Sequence, residues 1–133
     1  MLISLLILGW ITYKQFGLAG AKSRDVDRKN SLSELGQAIR LYYADYGVLP
    51  DEKLINELWG KEWRDGDYVY LKTVPQENNL EKKYCYVIEG EGKNFSLLAD
   101  LENKSDKECQ KDKWKCGGEN YCYKHTLTAE ISK

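Results

Sequence analysis

The first 46 residues carry two different hydrophobic patterns and no proline. Residues 1–12 are uncharged and apolar on nearly every side, which is typical of a helix surrounded by lipid or by other helices. From residue 25 onwards, apolar side chains recur at spacings of three and four, which indicates a helix with one buried face. We therefore predict one long helix whose halves, residues 1–24 and 25–46, have different surroundings.

The two halves of this predicted helix offer different sets of apolar side chains. Those of the first half would form the core of a bundle of helices: Leu2, Leu5, Leu6, Leu8, Trp10, Ile11, Phe16 and Leu18. Those of the second half would form a seam with a globular head: Leu32, Leu35, Ile39, Tyr42, Tyr43 and Tyr46. Gly47 and Pro50 predict the helix end near Tyr46, because glycine accepts the left-handed conformation past a last turn and proline cannot continue a helix.

The remaining residues predict a head with a connecting region, 47–83, and a sheet with disulfide-linked loops, 84–133. Asp51 would cap a short second helix lying on the first, with one apolar face made of Leu54, Ile55, Leu58 and Trp59. Residues 60–83 are rich in charged and turn-forming residues and predict a loop. Residues 103–120 form a polar stretch without any apolar period, and they also predict a loop.

Alternation with a period of two predicts three antiparallel strands in the last region. A hairpin would join residues 84–88 to residues 95–101 through the turn 89–92. The third strand would face the helix with Tyr121, Tyr123, His125, Leu127, Ala129 and Ile131. The predicted fold class is α+β, with a long N-terminal helix packed on a small antiparallel sheet of about three strands.

Charge and cysteine content give opposing indications of the compartment. Five basic and two acidic residues fall within the first 30 residues, although the net charge of the 133-residue chain is −1. A basic collar after an apolar run is typical of the cytoplasmic side of a membrane. An even number of cysteines in a small head favours disulfides and an oxidising compartment, and we give this more weight: Cys85, Cys109, Cys116 and Cys122. Three pairings are possible, and the sequence does not choose among them.

The sequence contains no pattern of catalytic residues, so we predict neither an enzyme nor a cofactor. His125 is the only histidine and lies on a predicted strand, where a structural role is favoured. The cysteines lack the paired spacing of a zinc site. Residues 111–115 combine lysines with one tryptophan, which is too weak a pattern to indicate nucleic acid. A calcium site is a minor alternative, with interleaved lysines arguing against it, at Asp100, Glu102, Asp106, Glu108 and Asp112.

Three interpretations of the first segment remain open. A membrane-spanning helix needs about 20 apolar residues, and residues 1–21 reach that length only if Lys14 and Gln15 are tolerated. A cleaved signal peptide would fit the small residues at positions 19–21, but no basic region precedes the apolar run. A buried core helix fits least, because so short a chain has little head to cover it.

Residues 24–50, which end in Leu-Tyr-Tyr-Ala-Asp-Tyr-Gly-Val-Leu-Pro, resemble the second half of the long helix in type IV pilins and type II secretion pseudopilins. Residues 84–86 and 95–103 also look like the heads of pilin-like proteins. The resemblance implies a structural subunit that waits in the bacterial cytoplasmic membrane with an extracytoplasmic head and then enters a cell-surface or periplasmic filament. Implied partners are identical or related pilin subunits, the inner-membrane assembly machinery and, before assembly, membrane lipid.

The chain departs from that family at its start. The family's basic leader, glycine cleavage point and early acidic residue are not seen, since the first acidic residue is Asp25. We therefore expect residue 1 to fall inside the usual helix. The alternative function is a membrane-tethered extracytoplasmic binding module, in which the tyrosines and Trp114 form a recognition surface.

Overall fold

A computed structural model describes residues 2–131, apart from the side chain of Leu2. Met1, the Leu2 side chain and residues 132–133, which belong to the predicted bundle core and head, lie outside the described part. The elements in chain order are α1 (Leu2–Tyr46), α2 (Glu52–Glu57), β1 (Trp63–Asp65), β2 (Tyr68–Leu71), β3 (Cys85–Glu89), β4 (Asn94–Ala99), β5 (Trp114–Cys116), β6 (Glu119–Tyr121) and β7 (Tyr123–Thr128). The fold is α+β, with one long N-terminal helix and small antiparallel sheets.

Helix α1 is continuous over 45 residues, which corresponds to roughly 67 Å at 1.5 Å per residue. Its end is set by Gly47, which has a φ of 71°. The Gly47 N–H donates to the carbonyl of Tyr43 at 2.7 Å and satisfies a group of the last turn. The helix end predicted near Tyr46 is confirmed.

The central sheet has the order β3-β4-β7, and both pairings are antiparallel. A short 3₁₀ turn at Gly90–Gly92 joins β3 to β4, as the hairpin prediction required. Tyr86 lies opposite Leu97, and Leu97 lies opposite His125, so these three residues share the face that packs on α1. Cys85 and Leu98 lie on the other face, under a smaller apolar cluster.

The seam between α1 and the head is formed mainly by Leu32, Leu35 and Ile39, which are fully buried. Tyr42 is half-buried at its end, with its ring centroid 5.6 Å from that of Trp63. Between these residues Gly36 lets the sheet approach the helix, because the end of the Leu127 side chain occupies the place of an added Cβ.

The seam predicted from the spacing of three and four extends too far at its C-terminal end. Tyr46 is 51% exposed, and Tyr43 is half-buried. The Tyr46 ring stacks on Tyr42, with 4.6 Å between centroids, and its hydroxyl hydrogen-bonds to Asp65. The last turn of α1 therefore lies beside the polar end of the β1-β2 hairpin and not against apolar side chains. Tyr46 is for this reason not part of the buried seam.

The loop predicted for residues 60–83 contains a second hairpin, β1-β2. Trp63 and Tyr70 are buried, and their ring centroids are 4.9 Å apart. Strands of three and four residues are too short for a period to be recognised, and the charged residues between them favoured a loop.

The polar stretch before β7 contains a third hairpin, β5-β6, which was also predicted as a loop. Tyr121 ends β6 and contacts the outer cluster with Cys85 and Leu98. Cys122 and Tyr123 are both in the helix-facing core, so the alternation expected through residues 121–131 breaks at Cys122. Ile131, expected on the inner face, is 50% exposed.

Helix α2 is attached to the sheet by hydrogen bonds, whereas the sequence predicted it on α1. Asp51 caps it as expected, since its carboxylate accepts from the Lys53 N–H at 2.8 Å. The Asn56 amide hydrogen-bonds to both the N–H and the carbonyl of Tyr86 in β3, each at 2.9 Å. Ile55 is buried, but Leu54 is exposed, so the expected apolar face is incomplete.

Two disulfides select one of the three possible pairings. Cys85 joins Cys116 and ties the β5-β6 hairpin to β3. Cys109 joins Cys122 and ties the preceding loop to the start of β7. The loops that lack apolar residues are thus held by covalent bonds.

Replacing Cys109 and Cys122 by serine is expected to lower the free energy of unfolding by about 2–5 kcal/mol. Proteolysis should accelerate within residues 103–113 and leave the β3-β4 hairpin protected, because this bond holds the loop around Cys109. Limited proteolysis with mass spectrometry measures both effects. The Cys85→Ser/Cys116→Ser variant is the matched control and should open β5-β6 instead; unchanged cleavage in both variants contradicts the structural role of the disulfides.

Candidate functional site: an uncovered half-helix and the ion cluster below it

The head leaves the first part of α1 uncovered. Every residue from 3 to 19 is exposed, and we call residues 3–18 the rod. The described members of the predicted bundle core are between 48% and 79% exposed: Leu5, Leu6, Leu8, Trp10, Ile11, Phe16 and Leu18. A single domain rarely leaves so many large apolar side chains in water, and such surfaces mark sites of association.

Two polar side chains of the rod make contacts within it. The Thr12 hydroxyl hydrogen-bonds to the carbonyls of Leu8 and Gly9, at 3.1 and 2.9 Å. The Lys14 ammonium lies over the Trp10 ring, 5.1 Å from its centroid. What the rod offers to a partner is therefore mostly apolar surface with a small positive charge and no carboxylate.

Hydropathy corrects one expectation for this segment. Among residues 2–131, no helix combines the length and mean hydropathy of a membrane span. The membrane-spanning helix expected in the first half of α1 is therefore not found.

Directly below the rod, α1 is joined to the head by a buried cluster of charges, which we call the clamp: Asp25, Arg28, Glu77 and Glu102. Asp25 and Arg28 are only 2% and 3% exposed. The Asp25 carboxylate accepts from the backbone N–H groups of Glu102 and Asn103, at 2.9 and 2.8 Å. It also accepts from Arg28 Nη1 at 2.8 Å, so the first turn of helix within the head is fixed to the chain that follows β4.

Arg28 connects two separate loops of the head. Its Nε donates to Glu77 at 2.6 Å, and its Nη2 donates to Glu77 and Glu102 at 3.1 and 3.0 Å. Glu77 also accepts from the N–H groups of Asn79 and Leu80, which orders its own loop. Each polar group of the clamp thus has partners, as a buried charge requires.

Burial and hydrogen bonding shift the pKa of three side chains of the clamp. Burial would lower the pKa of Arg28, but the hydrogen bonds to Glu77 and Glu102 outweigh burial and raise it. Burial would raise the pKa of Glu77, but the hydrogen bonds from Arg28 and the Asn79 N–H hold it below its usual value. The hydrogen bond from Arg24 is the main reason that the pKa of Glu102 is also lowered. Arg28, Glu77 and Glu102 are therefore charged at neutral pH.

An outer layer of ion pairs surrounds the clamp. Arg24 Nη2 lies 2.7 Å from Glu102, and the Lys29 ammonium lies 2.9 Å from Asp106 and 3.3 Å from Glu108. Lys29 also lies over the Tyr123 ring, 5.3 Å from its centroid. Three basic residues of the predicted collar are therefore bound to carboxylates of the head, which corrects their interpretation as a free juxtamembrane charge.

Ion pairs also occupy most of the carboxylates that were considered as calcium ligands. Glu102, Asp106 and Glu108 hold the basic residues of α1, and Asp100 pairs with Lys82 and Lys104 at 3.7 and 2.9 Å. Within the described residues, no group of three or more His, Cys, Asp or Glu side chains could hold a metal ion. Four of the five proposed calcium ligands serve instead as partners of basic side chains.

Most of the aromatic side chains expected to form a recognition surface are packed inside the head. Trp114 is half-buried, and the ammonium groups of Lys113 and Lys124 lie over its ring, 4.8 and 4.6 Å from the centroid. The four tyrosines of the last region are buried: Tyr84, Tyr86, Tyr121 and Tyr123. His125 is half-buried beside Leu97, and burial lowers its pKa. These residues support the fold and do not form an open platform.

The clamp predicts a loss of stability in acid. A carboxylate with a lowered pKa in the folded state stabilises the fold above its unfolded pKa, near 4.5 for Glu77, and loses this contribution as the pH falls through the folded value. We expect the melting temperature to fall steeply between pH 5 and pH 2. The Glu77→Gln variant should be less stable at pH 7 and lose less on acidification. Parallel slopes for the two proteins, followed by circular dichroism, would contradict this role.

No family model matches the chain, and no curated protein and no solved structure is significantly similar to it.

Proposed function

We propose that the chain is a structural subunit of a pilin-like filament, in which the rods of neighbouring subunits pack together and the heads lie outside. The observation that carries the proposal is the division of α1. Residues 3–19 are exposed with apolar side chains on nearly all sides, whereas Leu32, Leu35 and Ile39 of the same helix are fully buried.

Burial of the rods can supply the driving force for assembly. A large apolar side chain gains about 1.5–3 kcal/mol when it is removed from water, and ten large aliphatic or aromatic side chains of the rod are exposed. A helix with a single apolar stripe pairs with one neighbour, but apolar residues on all sides need several neighbours. A bundle of identical rods provides them.

The clamp gives this arrangement a fixed geometry. Asp25 and Arg28 hold the head at the point where the rod leaves it, through loops at Glu77 and Glu102. Since these charges are buried and fully paired, a change of angle between head and rod would expose or unpair them. Packing of the rods would then place every head in the same orientation, as a regular filament requires.

Two further features support a pilin-like subunit outside the cytoplasm. The two disulfides are typical of an oxidising compartment, such as the periplasm or the cell surface. The stretch that resembles pilins, residues 24–50, contains the clamp residues of α1, most of the seam and the helix end. Neighbouring copies or related pilins are the partners that follow.

Placing a charge in the rod tests this function. The Leu6→Glu variant should abolish the formation of sedimentable assemblies and leave the melting temperature of the head unchanged, because Leu6 is 75% exposed in the single chain. The matched control is Leu54→Glu, which adds the same charge at a position on α2 that is 41% exposed. Sedimentation and electron microscopy measure assembly. Wild-type filaments from Leu6→Glu would overturn the proposal, as would a full-length wild-type chain that stays monomeric.

A further inference from the structure

The two outer edges of the central sheet differ in how their backbone groups are covered. At β3, the Asn56 amide makes the two hydrogen bonds with Tyr86 that a neighbouring strand would make, and Glu52 accepts from the Ile88 N–H at 2.5 Å. Side chains of α2 thus cover this edge and close it to further strands. Natural sheets commonly protect their edges in this way.

The edge of β7 has no such cover. Strand β7 is the last of the sheet order, and only β4 pairs with it. Within residues 2–131, no backbone or side-chain group hydrogen-bonds to the outer edge of Tyr123–Thr128; the nearest such bond joins the Gln110 N–H to the Cys122 carbonyl, before the strand begins. The strand contains no proline and no acidic residue, and Lys124 is its one lysine. It therefore presents a row of free donors and acceptors.

A groove of about 750 Å³ continues from the end of this strand. One wall is α1, with Arg40, Tyr43, Ala44 and Gly47. The other wall is the chain that follows β7, residues 128–131. The helix extends past the sheet here, so part of its head-facing side has no strand against it.

The groove contains a guanidinium group that lacks an acidic partner. Arg40 is half-buried, and its Nη2 donates to the carbonyl of Glu130 at 3.0 Å. Its Nε is buried without any hydrogen bond, and no carboxylate of the described residues forms an ion pair with it. Arg24, Arg28 and Arg64, by contrast, all pair with glutamates. A guanidinium that lines a groove without an acidic partner is suited to bind a carboxylate through its remaining N–H groups.

We infer that the β7 edge and this groove together bind an extended acidic segment of a different protein. The segment adds to β7 as a fourth strand through backbone hydrogen bonds. Its apolar side chains enter the groove beside Tyr43 and Ala44, and its carboxylate pairs with Arg40. The edge provides affinity for any extended chain, and the arginine provides the preference for an acidic one.

A second copy of the chain fits this site poorly. A neighbouring copy has two uncovered parts. Its β7 edge contains Lys124 and no aspartate or glutamate, so pairing the two edges would bring no strand carboxylate to Arg40. Its rod is helical and therefore has no backbone groups to offer a strand. The rod also contains no aspartate or glutamate, and its charged residue is Lys14. It would bring a positive charge towards Arg40. The site is therefore separate from the proposed contact between rods, and it does not depend on assembly.

Synthetic peptides with the full-length chain test this site. The probes are octapeptides of alternating valine and threonine, with one glutamate placed at each position in turn, and a matched series with glutamine. Fluorescence anisotropy should show binding for the glutamate series at one register and at least tenfold weaker binding for its glutamine counterpart. Arg40→Gln should remove this difference, whereas Arg64→Gln, which changes an exposed arginine of β1, should keep it.

A strand-specific readout separates this mode from general attraction. N-methylation of alternate peptide amides should abolish binding when it blocks the edge that faces β7 and should have little effect on the other edge. Hydrogen exchange should slow at residues 123–128 on binding. Equal binding of glutamate and glutamine peptides, no binding by either series, or equal effects of both methylation patterns would overturn the inference. Binding that appears only after residues 132–133 are deleted would assign the groove to the chain's own last residues and also overturn it.

Discussion

Replacing Arg28 with methionine is expected to lower the free energy of unfolding by about 3–5 kcal/mol. The substitution keeps most of the side-chain volume but removes the positive charge that Asp25, Glu77 and Glu102 share. Asp25 is 2% exposed and cannot turn to water, so its carboxylate would remain buried without a cation. Two loops of the head would also lose their common attachment to α1.

Urea denaturation at pH 7 measures this loss, and two further variants separate its causes. Arg24→Met removes an exposed partner of Glu102 and should cost much less. Arg28→Lys keeps the charge without the planar fork that binds two loops at once, so it should fall between Arg28→Met and the wild type. A loss for Arg28→Met no larger than that for Arg24→Met would show that the clamp does not hold the head.

Truncation of Leu35 to alanine is the second large effect, with an expected loss of about 2–5 kcal/mol. Leu35 is fully buried between α1 and the sheet, so its removal leaves a cavity that the seam cannot close. The same substitution at Leu6, which is 75% exposed, should change the stability of the single chain very little.

Thermal and urea unfolding of these two variants compare two leucines of one helix. The Leu6→Ala variant should instead weaken assembly, since it removes apolar surface from the rod. Equal losses of stability for both variants would mean that the rod is packed inside the single chain. The proposal that α1 has one exposed half and one buried half would then be wrong.

The elements that depend on residues close in sequence were predictable. The spacing of Leu32, Leu35 and Ile39 indicated a buried helix face, and Gly47 indicated where it ends. Alternation indicated β3 and β4, and the faces of Tyr86 and Leu97 follow from it. Each of these patterns reports a local period, which is set by the geometry of helices and strands.

The clamp could not be predicted, because its partners are far apart in the chain. Arg28 is 49 residues from Glu77 and 74 residues from Glu102, and no local pattern relates positions so distant. Only the pair of Asp25 and Arg28, three residues apart, was accessible to sequence reasoning. The basic residues therefore suggested a collar at a membrane, when most of them bind the head.

The short hairpins were missed for a different reason. Strands β1, β5 and β6 have three residues each, which is fewer than two full periods. Disulfides hold β5-β6 and the loop before it, together with the small apolar cluster around Tyr121, and the pairing of four cysteines is not encoded in their spacing. Cys122, which is bonded to Cys109, lies in the helix-facing core. The alternation that predicted Tyr121 on that face is therefore broken, and Tyr121 lies in the outer cluster.

Cysteine crosslinking between rods in the assembled state tests the central claim most directly. Single cysteines at Ile3, Ile7 and Ile11, which are 49–75% exposed in the single chain, are oxidised under conditions that keep the two native disulfides, and the products are separated without reductant. The account predicts covalent dimers at all three rod positions and none for a cysteine at Lys53 on the head. Dimers at the head position with none along the rod would contradict it.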